Sequence, residues 1–256
     1  MSMPPGQLGF CRWRAHGMGP CMTQMTQMTL DIGLASSPSF ANFFAGPNQA
    51  AVAYLTMWAG AASQTPLRAP VPTYLWGEAA SGKTHLLRAV AEVLHSQGAS
   101  VGWMDAARLA PPEFDESWTA ILLDDCHLYD EAQQQVAFNW FVNAVASPDG
   151  HPRWVLAAGA LPPADLVLRE DLRTRLGWGH IFELHLLTDK ERQAVLRQEA
   201  VARGVQLTGE AVDFMLNRFS RDLSSLMQLL DKLDVYALQT QRAITIPLIK
   251  AMLESE

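Results

Sequence analysis

Cysteine is scarce in this chain: Cys11, Cys21 and Cys126 are the only three in 256 residues, and no two of them form a CxxC pair. That excludes a disulfide framework and a zinc site begun by paired cysteines, and it fits a reducing compartment. Charge is sparse as well. Charged residues make up 18%, the net charge is -7, and no run of Lys or Arg could track a phosphate backbone, so strong, direct, sequence-specific DNA binding is not expected. No apolar stretch reaches the roughly 18 residues of a membrane span, and the N-terminus lacks the continuous apolar segment of a signal peptide. A cytoplasmic protein with no membrane partner is the expectation.

What the chain has in quantity is hydrophobic side chains, 49% of the total, enough to bury a sizeable core. Three regions separate by pattern. Residues 1–37 are rich in Met, Gly, Pro, Thr and Gln and carry the tandem triplets Met22-Thr23-Gln24 and Met25-Thr26-Gln27 without any apolar period, which reads as a disordered tail. Residues 38–187 alternate helical and strand patterns. A helix is expected over 49–61 after the turn Gly46-Pro47-Asn48, strands over 73–76, 100–104, 120–123, 154–157 and 181–184, and a helix from 82 to about 96 after the first strand. Such alternation predicts an α/β nucleotide-binding domain with a mainly parallel five-stranded sheet. Residues 188–256 show only helical patterns, over 189–203, 209–218, 223–241 and 247–253, and are expected to form a small helical lid.

The chemistry-bearing motif is Gly77-Glu78-Ala79-Ala80-Ser81-Gly82-Lys83-Thr84, a full match to G-x-x-x-x-G-K-[ST]. Average residue frequencies put a chance match in a chain of this length on the order of one in a hundred. A buried strand leads in and an Ala/Leu-rich helix leads out, which is the setting a phosphate loop needs. Backbone N–H groups of the loop point at phosphate oxygens and the positive end of the helix adds to their field. Gly77 and Gly82 let the chain come close, Lys83 supplies charge at the outer phosphates, and Thr84 offers an oxygen to Mg2+. Some 40 residues on, Ile121-Leu122-Leu123 runs into Asp124-Asp125. An apolar strand ending in two acids at the sheet edge is a Walker B arrangement, with Asp124 the magnesium holder and Asp125 placed to orient an attacking water. Cys126 and His127 follow, but neither has the spacing or partners of a catalytic pair, and His127 reads as a helix-start or packing residue.

These motifs resemble the DnaA-type AAA+ proteins, together with Phe40-Ala41-Asn42-Phe43-Phe44, Gly46, Asn48, Tyr74-Leu75-Trp76-Gly77, His85-Leu86-Leu87 and Asp171-Leu172-Arg173-Thr174-Arg175-Leu176-Gly177-Trp178-Gly179. The resemblance covers about residues 38–253. Within the family the chain is most similar to the regulatory inactivators of the initiator DnaA, both in its closing segment Thr240 to Pro247 and in ending at Glu256, where the initiator continues into a basic DNA-binding domain. The resemblance implies a protein that binds ADP or ATP, docks on the DNA polymerase sliding clamp, and brings an arginine finger in trans to the ATP held by DnaA. Arg175 matches the finger, and Arg173, two residues earlier, is expected to help position the interface. Gln27, Met28 and Leu30 match the clamp-docking motif, with Met28 in place of the usual leucine and Asp31 where an apolar residue or proline is expected. A homodimer through the Arg175 face stays open.

Two positions depart from the family. Ala160 stands where a sensor aspartate is expected after the fourth strand, and Ser224, with Arg221 the nearest basic residue, stands where the lid's sensor arginine would align. Both losses imply a site that grips nucleotide with weak turnover of its own. The competing readings are an active AAA+ ATPase of the helicase-loader, DnaC-like type, and a P-loop kinase for a small molecule.

Overall fold

A computed structural model describes residues 37–61, 71–108, 110–146, 150–151, 153–219 and 223–255. The helix α1 (Gln49–Ala61) precedes β1 (Thr73–Trp76), which leads into α2 (Lys83–Ser96) and β2 (Ser100–Met104). Then come β3 (Trp118–Leu123), α3 (Glu131–Val145), β4 (Trp154–Gly159), α4 (Glu170–Leu176) and β5 (His180–Glu183). The strands lie in the order β2-β3-β4-β1-β5, and all four pairings are parallel. The expected five-stranded sheet is therefore present.

Side chains alternate across a strand, so a sheet covered on both faces needs apolar residues at every position. The inner strands meet that demand. Leu75, Ala120, Leu122, Leu156 and Ala158 pack with α1 and α2 on one face, and Tyr74, Ile121, Leu123, Val155 and Ala157 pack with α3 and α4 on the other. β5 lies at the edge and its residues are mostly exposed.

Some boundaries differ from the sequence pattern. β3 begins at Trp118 because its ring crosses Gly102 of β2, where a Cβ would lie 2.4 Å from the indole, and then meets Trp140 edge-on at 4.6 Å. β4 runs on to Gly159, paired with Trp76, and β5 starts one residue early because His180 pairs with Thr73. α3 opens with a reciprocal cap in which Asp130 accepts from the Gln133 N–H and Gln133 from the Asp130 N–H.

The C-terminal region is all helix apart from one bridge between Leu207 and Ile244: α5 (Asp189–Ala202), α6 (Gly209–Arg218), α7 (Leu223–Thr240) and α8 (Ile246–Ser255). Thr188 and Glu191 form a capping box on α5, and Thr208 caps α6. Leu196, Val212, Met215, Leu230, Leu233 and Ile249 are among the side chains of its separate core. Among the described residues no helix is long and apolar enough to cross a membrane.

Candidate nucleotide site and arginine groove

The loop from Gly77 to Gly82 joins β1 to the N-terminus of α2, and its backbone is one that side chains would obstruct. Gly77 has φ +151° and a Cβ there would lie 2.2 Å from the Leu184 carbonyl oxygen; Gly82 has φ +97° and its Cβ would lie 2.6 Å from the Phe43 ring. Both glycines are thus required by space as well as by angle. Ala80 also adopts a positive φ, +64°, a strained conformation for a residue with a Cβ.

Lys83 is the first residue of α2 and is buried. Its Nζ donates to the carbonyls of Gly77 and Glu78, both at 2.8 Å, and to Ser81 Oγ at 3.5 Å. Burial pulls its pKa below the ordinary lysine value, against the attraction of Asp125 and Asp124. Asp124 directly follows β3 with 3% of its surface exposed. Burial pushes its carboxyl above the usual aspartate range, and a hydrogen bond with Thr84 acts in the opposite direction. The structure therefore brings Lys83, Thr84 and Asp124 together. Asp125 adopts φ +48° and faces the same cleft. Thr84 and Asp124 are the oxygen donors suited to a divalent cation that keeps much of its water, since Mg2+ at phosphate sites takes only one or two protein ligands.

The cleft has a volume of about 540 Å3. Phe43, Asn48 and His185 line it beside the loop, and Arg192, Arg203, Met227 and Asp231 line it from the helical region. Asn48 Nδ2 donates to the His185 carbonyl at 2.9 Å and its Oδ1 accepts the His185 N–H at 2.8 Å. Arg203 pairs with Asp231 and with Glu199, and Arg192 with Asp189 at 2.6 Å. The roles of Asn48, Arg192 and Arg203 are not visible in the sequence, where the signals for Asn48 are its place in a turn and in the segment that resembles the family.

Cys126 is fully buried, and burial raises its thiol to about 12. Its Sγ lies 4.0 Å from the hydroxyl of Tyr74, which donates to the Leu161 carbonyl at 2.9 Å. Among the described residues His127 Nδ1 has no hydrogen-bond partner, and burial lowers the pKa of the ring. Ala160 directly follows β4; Arg221 lies outside the described residues.

Arg175 sits in the last turn of α4, half-buried, with its guanidinium 5.0 Å from the centroid of Phe138 and 5.9 Å from that of Phe141. It lines an open groove of about 900 Å3 together with Phe138, Arg169, Asp171, Thr174 and Trp178, and this groove shares no lining residue with the nucleotide cleft. Arg173 does not line it; its carbonyl accepts the Gly177 N–H at 3.1 Å. Gln27, Met28 and Leu30 lie outside the described residues.

Phosphate loop, paired acids at the next strand's end, parallel sheet and helical lid define a P-loop domain of the AAA+ class. The model of the Hda lid domain matches residues 189–253. A Haemophilus influenzae protein described as uncharacterized is 36% identical over 190 residues, covering 70% of this chain and 80% of that protein. Among solved structures, domain III of the Thermotoga maritima replication initiation protein DnaA is similar with a TM-score of 0.65 at 18% identity, covering 86% of this chain and 97% of that one. AMPPCP-bound DnaA from Aquifex aeolicus gives 0.61 at 19% identity, over 80% of this chain and 67% of that one. The chain belongs to the Hda/DnaA-type AAA+ family.

Proposed function

We propose that this protein is a negative regulator of DNA replication initiation which, bound to the sliding clamp, stimulates hydrolysis of DnaA-bound ATP through Arg175. The observation that carries the reading is the position of Arg175 in an open groove distinct from the chain's own nucleotide cleft, where a second molecule has access to it. A guanidinium supplied in trans stabilises the charge that develops on the transferred phosphoryl group and can raise hydrolysis by about 10³ to 10⁵. Gln27, Met28 and Leu30 supply the clamp contact, and Arg173 supports the interface.

The chain's own cleft holds ADP or ATP, a nucleotide class supported by the AMPPCP-bound DnaA structure it resembles. Lys83, now on the loop carbonyls, would turn to phosphate oxygens, and Thr84 and Asp124 would hold Mg2+, which would supply further positive charge there. Asp125 orients a water, but Ala160 offers no polar group after β4, so turnover in this cleft is weak.

The test is hydrolysis of ATP prebound to DnaA, with DNA-loaded clamp and this protein added together. Wild type is expected to accelerate it, and Arg175→Ala and the Gln27, Met28 and Leu30 triple alanine variant to fail. No acceleration by wild type overturns the reading.

A further inference from the structure

Arg175 and Trp178 are joined through the backbone, the Trp178 N–H donating to the Arg175 carbonyl at 3.1 Å. Their side chains line one groove. The Arg175 guanidinium lies over two rings of its own molecule, so it is held close to the surface. A phosphate belonging to another protein can meet it there only if that protein descends into the groove. Trp178, 62% exposed on the groove's wall, is then covered by the incoming molecule.

Val71 and Ile181 are both exposed, and the side chain of Val71 lies against Gly179. Tryptophan and arginine are among the residue types most enriched in the few side chains that dominate binding energy at protein interfaces.

We infer that Trp178 is the anchor for the nucleotide-binding domain whose ATP Arg175 engages; this rests on the proposed function. The two residues divide the work: Trp178 sets how tightly the partner binds and Arg175 sets how fast its bound ATP is cleaved. Trp178 does not touch the reacting atoms.

The experiment titrates the full chain, and its Trp178→Ala, Trp178→Phe and Arg175→Ala variants, into ATP-loaded DnaA with DNA-loaded clamp, reading hydrolysis and, separately, direct binding to DnaA. Trp178→Ala should raise the half-maximal concentration by about tenfold or more while reaching the wild-type plateau at saturation, as expected of an interface hot spot. Trp178→Phe should recover most of the loss, and Arg175→Ala should lower the plateau. A Trp178→Ala midpoint equal to wild type, or a lowered plateau at an unchanged midpoint, overturns the anchor. If wild type accelerates nothing, the proposed function fails and the binding arm alone decides the anchor: weaker binding by Trp178→Ala upholds it, and equal binding, including none by either protein, overturns it.

Discussion

Asn48 and His185 stand 137 residues apart and exchange two hydrogen bonds, the amide of Asn48 satisfying both backbone groups of His185 at 2.9 and 2.8 Å. One side chain thus joins the turn before α1 to the segment after β5, on the wall of the nucleotide cleft. Asn48→Ala leaves a backbone donor and acceptor unpaired in a site where Asn48 is 4% exposed, which should cost about 1–3 kcal/mol. Chemical denaturation measures that loss. Titration with a fluorescent adenine nucleotide should show weaker binding as well, and unchanged binding would mean that the wall does not depend on this pair.

Gly159 illustrates how tightly the end of β4 is packed. A Cβ there would lie 2.2 Å from the Tyr74 hydroxyl, so Gly159→Ala should destabilise the protein by about 1–3 kcal/mol through overpacking. In a Tyr74→Phe background the hydroxyl is gone and the nearest ring carbon lies 3.2 Å from that Cβ. The second effect should therefore be smaller than the first, and a double-mutant cycle by thermal or urea unfolding measures the difference.

His85 couples α2 to the segment ahead of α1, its Nε2 lying 3.0 Å from the Ser39 carbonyl and its ring 5.3 Å from that of Phe43. Burial lowers its pKa below 6.5, outweighing the Ser39 hydrogen bond. The unfolded chain therefore takes up this proton more readily than the folded one. The contribution of neutral His85 to stability is full above about pH 6.5 and is lost as the pH falls through the folded value. Melts at pH 7.5 and 5.5 should show a larger acid loss for wild type than for His85→Gln.

The Cys126 thiol should be inert in the folded protein, because burial raises it to about 12 and no surface is exposed. In a Cys11→Ser, Cys21→Ser variant at pH 8, reaction with a thiol reagent should be slow and should become fast on unfolding. Fast labelling of the folded variant would contradict this.

Much of the nucleotide site is legible in the sequence because its parts are local. Gly77 to Thr84 occupies eight consecutive positions, and Leu122, Leu123, Asp124 and Asp125 another four; each carries its own strand-edge context. The strand cores are legible for the same reason, since β1, β3 and β4 are buried on both faces and need unbroken apolar runs. β5 is less clear because an edge strand is under no such demand, and the start of β3 is less clear because it depends on the fit of Trp118 against Gly102.

By itself, then, the sequence determined the fold class, the phosphate loop and the acids beside it, since periodicity and motif spacing act over a few residues. Only the tertiary structure decided that Asn48 braces His185, that Arg192 and Arg203 reach the cleft from the helical region, and that Arg175 rests on Phe138 beside an exposed Trp178. Those relations join residues tens to more than a hundred positions apart or depend on which side chains share a surface. Close packing sets them, and no local pattern along the chain encodes it.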